Sequence, residues 1–212
     1  MRKRLLFLSI LFCLFSCQLI FANEDTSFEN IENLRLKTQL LEVEINLLKA
    51  QILEQSASTK KVMLGTVLLE DDEISDWKIC NLKLENICND EAHLFFEGKR
   101  LISFHIRLGT PTEDWGEHRY YCYREDESLA FISYEYWTFC EGSIKIEAQL
   151  YFNQNGKKVS EIVKFFDIET NKEIKESMEL YESPEIYLKT SDALRKFSKD
   201  LKGVVPPWTT FK

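Results

Sequence analysis

From residue 28 to residue 55 the chain contains neither Gly nor Pro, and its apolar residues recur at helical spacing. Leu, Glu, Lys and Gln dominate, all residues that lose little rotamer freedom in a helix. The pattern predicts one long helix, with Ser27 as cap and Asn30 where a capping box would carry Glu or Gln. Placing Ile31 at heptad position a puts Leu34 at d, Thr38 at a, Leu41 at d, Ile45 at a, Leu48 at d and Ile52 at a. This seam, with one polar insertion at Thr38, predicts a coiled coil and hence a homo-oligomer. A second stripe, Leu36, Leu40, Val43, Leu47 and Ala50, lies on another face. It suits a trimer, a higher bundle, or a dimer whose outer face rests on the following domain. The competing reading is one amphipathic helix packed on its own domain. Residues 56–61 read as a linker.

From residue 62 onward the period changes to two, with aromatic and β-branched runs at 77–84, 93–96, 101–108, 119–125, 129–139, 144–152 and 159–166. Glu97-Gly98, Asp126-Glu127, Glu141-Gly142 and Asn155-Gly156 punctuate them as hairpin turns. A two-residue loop at Glu141-Gly142 would set Phe139 against Ile144, Trp137 against Ile146 and Phe131 against Phe152. One at Asn155-Gly156 would set Phe152 against Val159, Ala148 against Val163 and Ile146 against Phe165. The two registers gather the large apolar groups on one face. The other face then carries a half-polar, aromatic patch of Tyr134, Tyr136, Tyr151 and Ile162, which is the candidate binding surface. Tyr121 and Tyr123 join it if the Asp126-Glu127 loop has two residues. Near the C-terminus Ala193, Leu194, Phe197 and Leu201 share one helix face, with Ser191 as cap and Gly203 as stop, and this helix is what would cover the patch.

The fold class expected is therefore α+β: a signal peptide and coiled-coil helix, then an antiparallel β-meander with a short C-terminal helix. The expected boundaries are 1–22, 23–55, 56–61 and 62–212.

Residues 1–22 have the order of a secretory signal, with Arg2, Lys3 and Arg4, an apolar run from Leu5 to Phe15, and Ala22 before Asn23-Glu24-Asp25. A lipid anchor at Cys17, in a partial lipobox with Phe15 out of place, and an uncleaved membrane anchor are the alternatives. All three place the body of the protein outside the cytosol, periplasmic or secreted. The 212-residue chain has a net charge of −8, and residues 1–22 hold three bases and no acid, so removing them leaves −11. That balance argues against nucleic acid and anionic membrane surfaces as partners.

Cys80, Cys88, Cys122 and Cys140 in an oxidising compartment suggest two disulfides, with three pairings open. Neither Cys-x-x-Cys nor a zinc-like His spacing is present, so no metal or cofactor is expected. The acidic group Asp71, Asp72, Glu73 and Asp76 lacks the Gly and terminal Glu of a calcium loop and reads as linker charge. His93 and His105 fall in predicted strands. His118 closes the loop from Thr110 beside Glu113, Asp114, Trp115 and Glu117, the one enzyme-like cluster, though without a nucleophile or oxyanion-hole motif. The function expected is a non-catalytic envelope or periplasmic protein that self-associates through Ile31, Leu34, Leu41, Ile45, Leu48 and Ile52 and presents its β-domain to a protein or peptide. The alternatives are an enzyme or enzyme inhibitor acting around His118, and a structural lipoprotein held at Cys17.

Overall fold

A computed structural model describes residues 28–66, 78–79, 90–110, 112–139, 142–175 and 181–197. Residues 1–22, read above as a signal peptide, with Cys17, Ser27, Cys80, Cys88, Cys140, the acidic group at 71–76, Leu201 and Gly203 lie outside the described residues. The chain divides into two units, Met1–Thr38 and Gln39–Lys212.

The uninterrupted helix-forming run becomes α1 (Phe28–Glu54). In the first unit its residues from 30 to 38 are exposed, and the hydroxyl of Thr38 donates to the Leu34 carbonyl at 2.8 Å. In the second unit α1 ends where Ser and Thr replace helix formers. The Leu53 carbonyl accepts from the Ser56 amide at 2.8 Å and the Thr59 hydroxyl at 2.5 Å. The connection is thus residues 55–58, four residues long and hydrogen-bonded, and residues 59–61 of the segment read as a linker already belong to β1.

The strands are β1 (Thr59–Gly65), β2 (Lys78–Ile79), β3 (Glu91–Glu97), β4 (Arg100–Gly109), β5 (Trp115–Tyr123), β6 (Leu129–Thr138), β7 (Ile144–Phe152), β8 (Lys158–Asp167) and β9 (Glu173–Ile174). They form one antiparallel sheet in the order β2-β1-β3-β4-β5-β6-β7-β8-β9. From β3 onward it is the meander that the turn spacing predicts. The β3–β4 hairpin closes on Gly98 and Lys99, where Gly98 adopts φ +60°, a conformation that an L side chain resists.

One register differs from expectation. Tyr136 pairs with Ile146, Tyr134 with Ala148 and Ile132 with Leu150, a slip of one residue from the two-residue loop. The connection 139–143 is longer: β6 ends at Thr138, the Phe139 amide donates to the Asp114 carbonyl, and Gly142 and Ser143 both have positive φ. Since side chains alternate across a strand, the slip sends Ile132, Tyr134 and Tyr136 to the face of Ile146, Ala148 and Leu150. The β7–β8 register is as expected at Ile146–Phe165 and Ala148–Val163, but an irregularity at Tyr151/Phe152 pairs Phe152 with Lys158 rather than with Val159.

That face is the main core. Val62, Leu94, Phe104, Tyr121, Ile132 and Leu150 are buried there beneath residues 181–189 and α2 (Thr190–Lys196), which contributes Ala193 and Leu194, with Phe197 just beyond it. The Tyr121 hydroxyl donates to the Glu185 carbonyl, and the Leu129 amide to the Leu188 carbonyl. α2 starts at Thr190 rather than after Ser191. Its first amide and hydroxyl both bond to Glu127, which substitutes for a side-chain cap.

Candidate functional site

The second face of the sheet is covered over part of its area by α1. Val43, Leu47 and Ala50 sit on Cys122, Ala130, Phe131, Tyr120 and Tyr151. Polar ties frame this contact. Glu54 at the end of α1 accepts hydrogen bonds from Ser103 and Tyr120 and lies 3.5 Å from His105 Nε2. Burial raises the Glu54 pKa, but the proximity of His105 and those hydroxyls outweighs it, so the carboxyl titrates below its ordinary value. At the other side of the contact Arg124 reaches Glu42 at 2.7 Å.

The stripe that meets the sheet is therefore the one containing Val43, Leu47 and Ala50. With 3.6 residues per turn, Ile45, Leu48 and Ile52 fall on the opposite side of the helix. They are 46%, 51% and 52% exposed. Ile31 and Leu34, in the first unit, are also exposed, and Leu41 is half-buried.

The tyrosine patch does not exist as one surface. Tyr134 is buried on the core face, where its ring meets Tyr181, and Tyr136 packs beside it. Tyr151 and Ile162 point to the opposite face, Tyr151 edge-on to Phe131 and Ile162 exposed. Tyr121 and Tyr123 do share a face with Tyr134, but it is the core. What covers Tyr134 is the extended segment around Tyr181 and Pro184. A groove of about 420 Å³ opens between them, lined by Glu117, Arg119, Tyr136 and Ser183.

Cys122 is a free thiol, fully buried under α1. Burial and the charge of Glu54 push it up to about 12, so it is protonated and unreactive in the folded state. This corrects the expectation of a disulfide at Cys122: the strand places its side chain against a helix, not against another cysteine.

Beyond the end of α1, the uncovered sheet carries an arrangement that single-residue reading missed. The three histidines share this face: His93 pairs with His105 across β3–β4, His105 with Tyr120, and Arg107 with His118 across β4–β5. They line a groove of about 230 Å³ with Glu91, Arg107, Ser133 and Glu135. His118 is a strand residue facing outward against the Trp137 ring, not the end of a loop, and Glu113 pairs with Arg107 instead. Trp137 lies across Gly116, where any Cβ would stand 2.1 Å from the indole. Among the described residues no three His, Cys, Asp or Glu side chains are placed to hold a metal ion.

Burial lowers the pKa of His93, with Lys61 and His105 adding to the effect and Glu91 opposing it. Burial likewise lowers that of His118, reinforced by Arg107 and His105 against Glu135. Between these lowered values and the ordinary 6.5 the unfolded chain binds more protons than the folded one. Stability therefore rises with pH through this window, is complete above about 6.5, and is lost on acidification. The thermal midpoint is expected to fall by a few degrees from pH 7 to 5.5. A His93→Gln/His118→Gln variant should be flatter over the same range, and equal slopes would refute the assignment.

The chain matches no protein-family model, no curated protein and no solved structure. Among the described residues no helix is long and apolar enough to cross a membrane.

Proposed function

We propose that the protein is an exported, non-catalytic envelope or periplasmic protein that self-associates through the heptad stripe of α1 and presents its sheet to a protein or peptide partner. The observation that carries this reading is the division of labour on α1. Val43, Leu47 and Ala50 pack the helix onto the sheet, while Ile45, Leu48 and Ile52 face outward at about half exposure. A helix that served only its own domain would have polar residues there. Contiguous exposed aliphatics at a/d spacing are the pattern of a seam awaiting a second helix. Export is supported by the basic start and apolar run of residues 1–22. The surface left for a partner is the histidine-lined half of the sheet, which α1 does not cover.

Removing α1 altogether would uncover Cys122 and Phe131, so the test substitutes only outward residues. In Ile45→Ser/Leu48→Ser/Ile52→Ser the sheet-side contacts stay intact and the circular dichroism should be unchanged. Sedimentation equilibrium should show an oligomer for the parent and at least about 100-fold weaker association for the variant, since three buried aliphatic side chains are lost per copy. A parent that sediments as a monomer at high concentration refutes the reading.

A further inference from the structure

Resting on the self-association proposed above, we infer that the assembly is a parallel, in-register dimer of two α1 helices. Three observations converge on this. The a positions other than Thr38 are Ile31, Ile45 and Ile52, and the d positions are Leu34, Leu41 and Leu48. β-branched residues at a with Leu at d is the arrangement that favours two parallel strands over three or four.

The flanking charges select orientation. Positions e are Arg35, Glu42 and Lys49, and positions g are Lys37, Glu44 and Gln51. In a parallel, in-register pair each g faces the e of the next heptad in the other helix. Lys37 then meets Glu42 of the second copy, and Glu44 meets Lys49 of the second copy, both attractive. Antiparallel pairing over the full helix instead sets Arg35 against Lys49, Glu42 against Glu42 and Glu44 against Glu44, all repulsive.

The third observation is the sheet. The apolar stripe that would demand extra helices in a bundle is already occupied over Val43, Leu47 and Ala50, which rest on Phe131 and Cys122. Leu36 of that stripe is 38% exposed, but from Gln39 onward the exposed aliphatics of the helix, Ile45, Leu48 and Ile52, all lie on the a/d seam, and one partner helix suffices to bury them. The polar Thr38 is compatible with the seam, since its hydroxyl already donates to the Leu34 carbonyl. Because residues from Gln39 onward belong to the same unit as the sheet, that part of the helix is formed before association, which removes part of the ordering cost that makes short coils marginal.

The test is charge reversal in the full chain at low ionic strength. Glu42 is left alone because it also holds Arg124. Lys49 is 3.7 Å from Glu125 with both side chains exposed, so altering it leaves the fold of each copy unchanged. Sedimentation equilibrium should give the mass of a dimer. Glu44→Lys and Lys49→Glu should each weaken it several-fold to about tenfold, and Glu44→Lys/Lys49→Glu should return it to within about twofold of the parent. A trimer or larger mass, or a double variant no tighter than the singles, overturns the parallel dimer and leaves self-association standing. A monomeric parent overturns both.

Discussion

Replacing Arg124 by Met should cost about 3–5 kcal/mol of stability, seen as a large fall in the urea midpoint followed by circular dichroism. The Arg124 side chain is 4% exposed. It donates to Glu42 at 2.7 Å, to the Leu129 carbonyl at 2.6 Å and to the Phe152 carbonyl at 2.5 Å. One guanidinium thus ties α1 to the β5–β6 turn and to the end of β7. Methionine preserves the apolar stem but leaves two carbonyls without their donor, and an unmade hydrogen bond costs more than a made one contributes. Glu42→Gln should cost less, because that side chain is 37% exposed and the amide oxygen still accepts. A loss within about 0.5 kcal/mol for Arg124→Met, the range of ordinary surface substitutions, would show that the ties are not what fixes the helix.

The second large effect is expected at Phe104→Ala, about 3–5 kcal/mol. The Phe104 ring is fully buried and stacks on Tyr121 with centroids 4.2 Å apart and planes 6° from parallel. Tyr187 and Phe197 close on it from the C-terminal segment, at 5.9 and 6.2 Å. Truncation opens a cavity between the sheet and that segment, so the loss should be uneven. Limited proteolysis is expected to cut within 181–197 well before the sheet unfolds. Cleavage that begins in the hairpins instead would contradict this order. Domains have only about 5–15 kcal/mol to lose, so either substitution removes a large fraction of the total.

The elements differ in how legible they are in the sequence. β7 alternates strictly, with Ile144, Ile146, Ala148, Leu150 and Phe152 buried and the residues between them less so. Its pairing with β8 at Ile146–Phe165 and Ala148–Val163 follows from the pattern, while the irregularity at Tyr151/Phe152 does not. β6 offers no such clue. Leu129, Ala130, Phe131 and Ile132 are all buried, because α1 covers one face of this end and the core the other. With apolar residues at both parities, nothing local distinguishes the true register from one slipped by a residue, and the tyrosine patch was divided accordingly. The histidine groove was hidden for a related reason. Counting back from the β3–β4 turn pairs His93 with Phe104; an irregularity at Phe95/Phe96 moves the partner to His105. No residue there signals a bulge, so the convergence of three histidines is visible only once the sheet is assembled. The α1 stripes were both readable, but which one faces the domain depends on the shape of a surface far away in the chain.

The short, hydrogen-bonded passage from Leu53 to Thr59 has a consequence for valency. Because the Leu53 carbonyl holds both Ser56 and Thr59, the sheet cannot swivel freely about the end of its helix. Two copies joined at α1 would then carry their histidine grooves at one set spacing, as the arms of a calliper. A partner with a single matching site would gain nothing from the pairing, whereas one displaying two sites at that spacing would gain the full effective-concentration advantage of bivalent attachment. Partners would thus be selected by the distance between their epitopes as well as by the chemistry of each.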